Sequence, residues 1–141
     1  MKKFILMLAA AMLSFTTFAQ EKSTYDETYL PAKYVTDKAK PTLVMITASW
    51  CGPCRQMKNV IMKEEDVAEL LKKFNVVYLD RDTKELQTII EQFKPAGYPG
   101  KIPFFTVLDT KGAVVATQLG SSDKQKFTNL LNKAFAKDAN K

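Results

Sequence analysis

Strand-like and helix-like patterns of apolar residues alternate along most of the chain. Residues 42–48 and 76–79 are nearly continuous in apolar side chains, which predicts two strands covered on both faces. Residues 104–108 and 113–117 predict two more strands. Because the short polar connection between this second pair ends at Gly112, a residue suited to positive φ, these two strands are expected to form a hairpin.

Helical spacing separates and follows these strands. The tract 57–74 carries two apolar sets, so it predicts one kinked helix or two short ones. Asp82 and Glu85 have the spacing of a capping box and predict the start of a later helix. Ser122 and Gln125 do the same for the last helix. A short helix is also expected just after residue 30. The apolar positions that define the main helical tracts are Met57, Val60, Ile61, Val67, Leu70, Leu71, Phe74, Leu86, Ile89, Ile90, Phe93, Phe127, Leu130, Leu131, Ala134 and Phe135.

The order of predicted elements is strand, helix, strand, helix, hairpin and helix. Helices between the first strands indicate parallel crossovers, and the hairpin adds an antiparallel edge. We therefore expect one α/β domain over residues 30–137, with three layers, α/β/α, around a mixed sheet of four to five strands. A polar lead-in at 20–29 precedes it, a loop rich in Pro and Gly occupies 94–101, and a short tail follows at 138–141.

The first nineteen residues have the pattern of a secretory signal peptide. Lys2 and Lys3 precede an unbroken apolar run at 4–13, and Thr17-Phe18-Ala19 resembles a cleavage site after Ala19. The alternative is a membrane anchor, but the apolar run is well short of the roughly 20 residues that span a bilayer. The sequence therefore predicts an exported protein with residues 1–19 removed, periplasmic or secreted.

Composition excludes several classes of function. The chain has 141 residues, of which 46% are hydrophobic and 26% charged, as in an ordinary globular domain. The net charge is +6, but Lys and Arg are scattered rather than grouped on one tract, so we do not expect nucleic-acid binding. With two cysteines and no histidine, the usual four-ligand zinc site and any histidine-dependent catalytic triad are excluded.

The candidate chemistry lies in Trp50-Cys51-Gly52-Pro53-Cys54, where a predicted strand meets a predicted helix. At the helix N-terminus, free backbone N–H groups favour the Cys51 thiolate, which makes Cys51 the candidate nucleophile. Cys54, one turn later, is placed to resolve a mixed disulfide on Cys51. Gly52 leaves the approach open, Pro53 suits a first-turn position, and Trp50 is expected to shield one side. The alternatives are an inert disulfide or two packed thiols, although so short a loop would stabilise the fold little.

This motif and the later Ile102-Pro103 resemble the thioredoxin family, and the likeness in layout covers residues 30–137. The resemblance implies the thioredoxin-like fold, a nucleophilic Cys51 and a resolving Cys54, with no cofactor. It also implies that Pro103 is a cis-proline beside the cysteines. The backbone of Ile102 would then pair with an extended substrate segment.

Two positions depart from the pattern of that family. Thioredoxins usually carry a buried carboxylate six residues before the first cysteine, where this chain has Met45. The lysine that accompanies it is replaced by Tyr78. Deprotonation of Cys54 would then depend on water, on the departing thiolate or on a carboxylate such as Glu64. Tyr98 and the rest of its loop either border the substrate groove or form a plain connector. Arg55 either makes the thiols more electropositive or belongs to a solvated helix face.

The leading hypothesis is a monomeric, exported thiol:disulfide oxidoreductase that reduces protein disulfides and receives electrons from a membrane protein, because exported compartments are oxidising. One rival keeps the cysteines but reverses the reaction, as an oxidase or isomerase. Another is a thioredoxin-fold binding or chaperone module. A metal cluster shared by two cysteine pairs across a dimer is disfavoured, since Pro103 beside the thiols should exclude a ligand.

Overall fold

The computed structural model describes residues 25–136; the predicted signal peptide, residues 20–24 and the tail lie outside them. The strands are β1 (Thr42–Thr47), β2 (Asn75–Asp80), β3 (Phe104–Leu108) and β4 (Val114–Leu119). The helices are α1 (Gly52–Asn59), α2 (Glu65–Leu71), α3 (Gln87–Glu91) and α4 (Lys124–Ala136), with single 3-10 turns at Ala32–Tyr34, Ile61–Lys63 and Lys84–Leu86.

The four strands form one mixed sheet in the order β2-β1-β3-β4. β1 and β2 run parallel, with Thr42 opposite Asn75. β3 is antiparallel to both β1 and β4, and the latter pair is the predicted hairpin. The mixed α/β sheet is thus confirmed, with four strands among residues 25–136.

Each face of the sheet carries its own apolar cluster, because side chains alternate along each strand. On one face Met45 of β1 joins Met57 of α1 and Phe127 of α4. On the other, Val44 of β1 joins Phe93, which follows α3. The sheet is therefore the middle of three layers, as predicted. None of the helices in the described part of the chain is long and apolar enough to cross a membrane.

The segment before β1 is tied to the sheet at two places. The backbone N–H of Asp26 donates to the carbonyl of Lys111 in the β3–β4 turn at 2.7 Å. Farther along, the buried Asn75 side chain accepts from the Asp37 backbone N–H at 3.0 Å and donates to the Asp37 carbonyl at 2.8 Å. Tyr25 and Tyr29, within the lead-in that the sequence predicts at 20–29, pack on the second cluster, so the folded part begins by residue 25.

The structure decides between the two helical alternatives at 57–74 and corrects the length of one other helix. The tract 57–74 forms two short helices, α1 and α2, joined by a 3-10 turn. Val60 follows the last residue of α1 and is 53% exposed, so it does not continue the buried stripe. The short helix expected after residue 30 is a single 3-10 turn at Ala32–Tyr34.

Both predicted capping boxes are wrong. The Asp82 side chain caps no helix, and neither the Lys84–Leu86 turn nor α3 has a side-chain cap. α4 begins one residue later than predicted, and the Asp123 carboxylate accepts from the Lys126 backbone N–H at 2.8 Å. The Ser122 hydroxyl instead accepts a hydrogen bond from Gln118. The Asp82 carboxylate accepts a tertiary hydrogen bond from Trp50, whereas the Ser122 hydroxyl accepts a local one from a residue four positions earlier.

Candidate active site

Cys51 is the N-cap of α1, and it is joined to Cys54 by a disulfide with 5.2 Å between the two Cα atoms. The Cys54 backbone N–H donates to Cys51 Sγ at 3.2 Å. Pro53 lies in the first turn, where a missing backbone N–H leaves no bond unmade. A Cβ placed on Gly52 would have no atom within 4 Å, so the approach over this residue is open. The predicted motif residues thus come together at one helix N-terminus.

The two sulfurs differ in access. Cys51 retains 4% of its accessible surface, whereas Cys54 retains none. Both belong to the apolar cluster that includes Met45 and Met57. Cys51 is therefore the more accessible of the two sulfurs, and its role as the attacking thiol stays a prediction. Within residues 25–136, no group of three or more His, Cys, Asp or Glu side chains is arranged to hold a metal ion.

Trp50 is exposed by 62%, and two charged residues at the end of β2 hold its indole ring. Its Nε1 donates to Asp82 Oδ2 at 2.7 Å, and the Arg81 guanidinium lies 5.9 Å from the ring centroid. Arg81 also donates to the Gly100 carbonyl at 3.2 Å. Trp50 is thereby connected to the loop at 94–101.

Sequence reasoning missed Arg81 and the role of Asp82 at this site. A signal was present, because both follow β2 directly and the motif follows β1. The carboxyl ends of neighbouring parallel strands meet at the same edge of a sheet. The spacing of Asp82 and Glu85 instead predicted that Asp82 caps the next helix.

Ile102 and Pro103 lie next to the cysteine cluster. Their peptide bond is cis, as the family resemblance implies. Pro103 is buried and its carbonyl accepts from the Gly120 N–H at 2.8 Å, while Ile102 packs against the cluster that contains both cysteines. Among the described residues, neither the N–H nor the carbonyl of Ile102 has a backbone hydrogen bond. The placement fits substrate pairing at Ile102, and the role itself stays a prediction.

The position of the missing family carboxylate is fully apolar. Met45 is completely buried, and its neighbour in the strand register is Tyr78. The Lys58 ammonium lies 5.2 Å from the centroid of the Tyr78 ring, and burial raises the pKa of the Tyr78 hydroxyl. Glu64, the alternative proton acceptor, is 3.8 Å from Lys124 and so belongs to a surface ion pair with α4.

Two further expectations concerned the rim of the site. Tyr98 is largely buried, and its ring lies 5.4 Å from that of Phe104 in the second cluster. It also lines a cavity of about 560 Å³ with Arg81 and Asp82, so its place at a substrate groove stays a prediction. Arg55 is exposed and donates to the Ser49 carbonyl at 3.1 Å. It therefore belongs to the solvated face of α1 and fixes the backbone just before the motif.

A disulfide at the N-terminus of the helix after β1, together with a cis-proline before β3, agrees with the comparison to known proteins. The Thioredoxin family model matches residues 21–133. The chain belongs to the thioredoxin family.

Known members resemble the chain over different lengths. It is 38% identical over 68 residues to thioredoxin H5 of Arabidopsis thaliana, covering 48% of this chain and 52% of that protein. It is 30% identical over 122 residues to a thiol:disulfide interchange protein, the TxlA homolog of Synechocystis, covering 82% of this chain and 62% of that one. The chain thus spans about half to three fifths of these two relatives.

A solved structure resembles the fold as well. A thioredoxin from Thermus thermophilus superimposes with a TM-score of 0.57 at 28% identity, covering 70% of this chain and 75% of that one. The three-layer arrangement predicted from the sequence is therefore the thioredoxin-like fold.

Proposed function

We propose that the chain is an exported thiol:disulfide oxidoreductase that reduces protein disulfides through Cys51 and Cys54. The observation that carries this proposal is the pairing of these two sulfurs at the N-terminus of α1, with Cys51 the more accessible. The Cys54 N–H contact to Cys51 Sγ supports it, because such a hydrogen bond strengthens when the sulfur is anionic.

The cycle balances without a cofactor. In the reduced protein, the Cys51 thiolate attacks one sulfur of a substrate disulfide and forms a mixed disulfide, while the other substrate sulfur leaves and takes up a proton. Cys54 then loses its proton and attacks Cys51 Sγ. The Cys51–Cys54 disulfide closes and the remaining substrate sulfur leaves as a thiol. Two electrons pass from the cysteines to the substrate, which gains one proton from Cys54 and one from solvent.

The backbone of Ile102 is the element we assign to substrate binding. Its free N–H and carbonyl are suited to pair with an extended segment on either side of the substrate disulfide. Backbone pairing accepts many side chains, which fits a broad set of protein disulfides rather than one client. A monomer is sufficient for this mechanism, since both sulfurs and Ile102 belong to one chain.

Reduction of insulin by dithiothreitol, followed as turbidity, tests the activity. The wild-type protein is expected to accelerate the reaction, and Cys51→Ser to abolish the acceleration. Cys54→Ser keeps the first step and is expected to accumulate a covalent adduct on Cys51. No acceleration by the wild type, together with no adduct on Cys54→Ser in an envelope extract, would instead favour a binding or chaperone module.

The direction of exchange is tested by equilibration with glutathione. A reductase is expected to have a potential near the family value of about −270 mV, because its disulfide form must be the more stable one in exchange with clients. A potential well above about −200 mV would favour the oxidase or isomerase.

Export and the electron donor belong to the same proposal and rest on the basic and apolar pattern of residues 2–19. A reductase in an oxidising compartment needs electrons delivered through the membrane, so we propose a membrane dithiol protein as donor. Expression of the full chain in a bacterium with two membranes, followed by mass spectrometry of the periplasmic fraction, is expected to find protein that begins at Gln20. Recovery of the intact chain in the cytoplasm would contradict export.

A further inference from the structure

Among residues 25–136, the outer edge of β2 carries backbone groups without hydrogen-bond partners. β2 is an edge strand of the sheet, and within these residues it pairs only with β1. The N–H of Asn75 donates to Pro41 and that of Arg81 to Thr47, both on the β1 side at 2.9 Å. Because successive residues alternate in direction, Val76 and Tyr78 direct their N–H and carbonyl groups outward. These two residues offer hydrogen bonds to a further strand.

A groove of about 750 Å³ runs beside this edge. β2 forms one side of it, and α1, α2 and their connecting turn form the other. The side chains of Val76 and Tyr78 line the groove with Met62 and Leu71, so its walls are partly apolar. An added strand would place every second side chain into this groove.

The groove is positively charged. Its lining includes three lysines, Lys58, Lys63 and Lys72, against one carboxylate, Asp80. Lys72 is paired with Glu69 at 2.5 Å. Within the described residues, no carboxylate lies within 4.0 Å of the ammonium of Lys58 or Lys63. The positively charged lining of the groove thus lies beside the unpaired edge of β2.

We propose that the edge of β2 and this groove bind an extended acidic segment of a partner protein as an additional strand. Backbone hydrogen bonds to Val76 and Tyr78 would hold the segment, and its alternate acidic side chains would meet Lys58 and Lys63. A second copy of this chain is disfavoured as the occupant, because its own lysines would face these ones. A small anion would leave the backbone edge unused.

This surface is distinct from the disulfide. Lys58 lies seven residues after Cys51, which corresponds to about 10 Å along the helix. A segment on β2 would therefore leave the sulfurs accessible, and its binding does not depend on thiol chemistry. The inference holds or fails independently of the activity proposed above.

The test uses a fluorescent peptide of roughly ten residues, enough to run the length of β2, in which Glu alternates with Val and Thr. A matched peptide carries Lys in place of Glu. The full chain is expected to bind the acidic peptide at least about tenfold more tightly. Lys58→Glu/Lys63→Glu is expected to reverse this preference. The control Lys111→Glu/Lys133→Glu makes the same charge change on exposed residues of the β3–β4 turn and of α4 beside β4, away from the groove, and is expected to preserve it.

Hydrogen exchange identifies the edge that is used. The amides of Val76 and Tyr78 are expected to exchange fast in the free protein and to become protected with the peptide. Three results would overturn the proposal: equal affinity for both peptides, protection of the β4 edge instead, or amides at 76 and 78 that are already protected without peptide. The last result would mean that another part of the chain covers this edge.

Discussion

Met45 shows how a single side chain changes the chemistry available to the cysteines. It takes the position of a carboxylate in the family pattern, it is fully buried, and it shares a cluster with Cys51 and Cys54. A thioether cannot accept a proton, so the resolving step has to release the Cys54 proton by another route. The mixed disulfide is therefore expected to persist longer here than in a family member that has the carboxylate.

Met45→Asp should make stability depend on pH. Burial favours the neutral carboxyl and raises its pKa in the folded state above the unfolded value of about 3.9. Below a pH of about 3.9 the carboxyl is neutral in both the folded and the unfolded state, so the variant is destabilised only by the loss of apolar burial. As pH rises from the unfolded pKa through the folded pKa, the free energy of unfolding of the variant falls further, by about 4 kcal/mol for a shift of roughly three units. Denaturant unfolding from pH 3 to 8, compared with Met45→Leu, measures this difference. A difference that does not change with pH would contradict it.

Thr106 is a second buried side chain with an unusual environment. Its hydroxyl has no hydrogen-bond partner in the described structure, although the residue lies in the interior strand β3 and is almost fully buried. Thr106→Val should raise the free energy of unfolding by about 1 kcal/mol, because it removes an unsatisfied polar group at nearly constant volume. Thr117, its exposed partner on β4, is the control: Thr117→Val should change the value by less than about 0.5 kcal/mol.

Helices and strands differ in how well local patterns predict them. β1 and the β3–β4 hairpin agree with the sequence because burial on both faces leaves a continuous apolar run, and because Gly112 has the positive φ that the turn requires. Helix starts agree less well. Asp82 and Ser122 have capping patterns, but Asp82 accepts a hydrogen bond from Trp50 across the fold, and Ser122 accepts one from Gln118 four residues earlier. The tertiary partner of Asp82 is not visible in a local window of sequence.

The start of α4 gives a direct test of this competition. Asp123 accepts from the third backbone N–H of the helix, so Asp123→Ala should cost about 1 kcal/mol of stability. Gln125 belongs to the capping box that the sequence suggested, and it is exposed. Gln125→Ala should therefore change the stability by less than about 0.5 kcal/mol. Chemical denaturation of both variants compares their free energies of unfolding. A larger loss of stability for Gln125→Ala would indicate that the capping box of Ser122 and Gln125 is formed.

The candidate site could be predicted from the sequence to the extent that it is local. Cys51, Cys54 and Pro53 lie in one motif, and the structure places them at one helix N-terminus. Arg81 and Asp82 contact Trp50 from a different strand, about thirty residues later, and only the sheet order brings them there. Ile102 was found because of the family resemblance, not because any pattern in its own neighbourhood indicates substrate pairing.

The three layers are held together partly by the segment before β1. Asp26 is joined to the β3–β4 turn, and Gly112 in that turn lies directly against it. The clustering of Leu30 with residues from β1, β2 and β3 extends this contact across the sheet. The N-terminal segment is therefore part of the domain rather than an appendage.

Replacing Gly112 or Gly120 with alanine distinguishes the effect of the contact with Asp26 from the effect of backbone strain. Gly112 and Gly120 have nearly the same φ, 84° and 85°. A Cβ on Gly112 would lie 2.3 Å from the Asp26 carbonyl oxygen, whereas one on Gly120 meets nothing within 4 Å. Gly120→Ala should cost about 1 kcal/mol, and Gly112→Ala about 3 kcal/mol or more. Equal losses in thermal or denaturant unfolding would show that the N-terminal segment adds nothing to stability.

The contact between Asp26 and the β3–β4 turn also determines where the N-terminal segment lies relative to the disulfide. That turn lies beside the first residues of β1, while the disulfide follows the last ones, and β1 alone is roughly 17 Å long. Anything joined to Tyr25 from upstream, whether a leader, a purification tag or a solid support, is thus attached at the pole opposite the sulfurs. Tethering the protein by its N-terminus should leave the cysteines pointing outward, toward arriving partners.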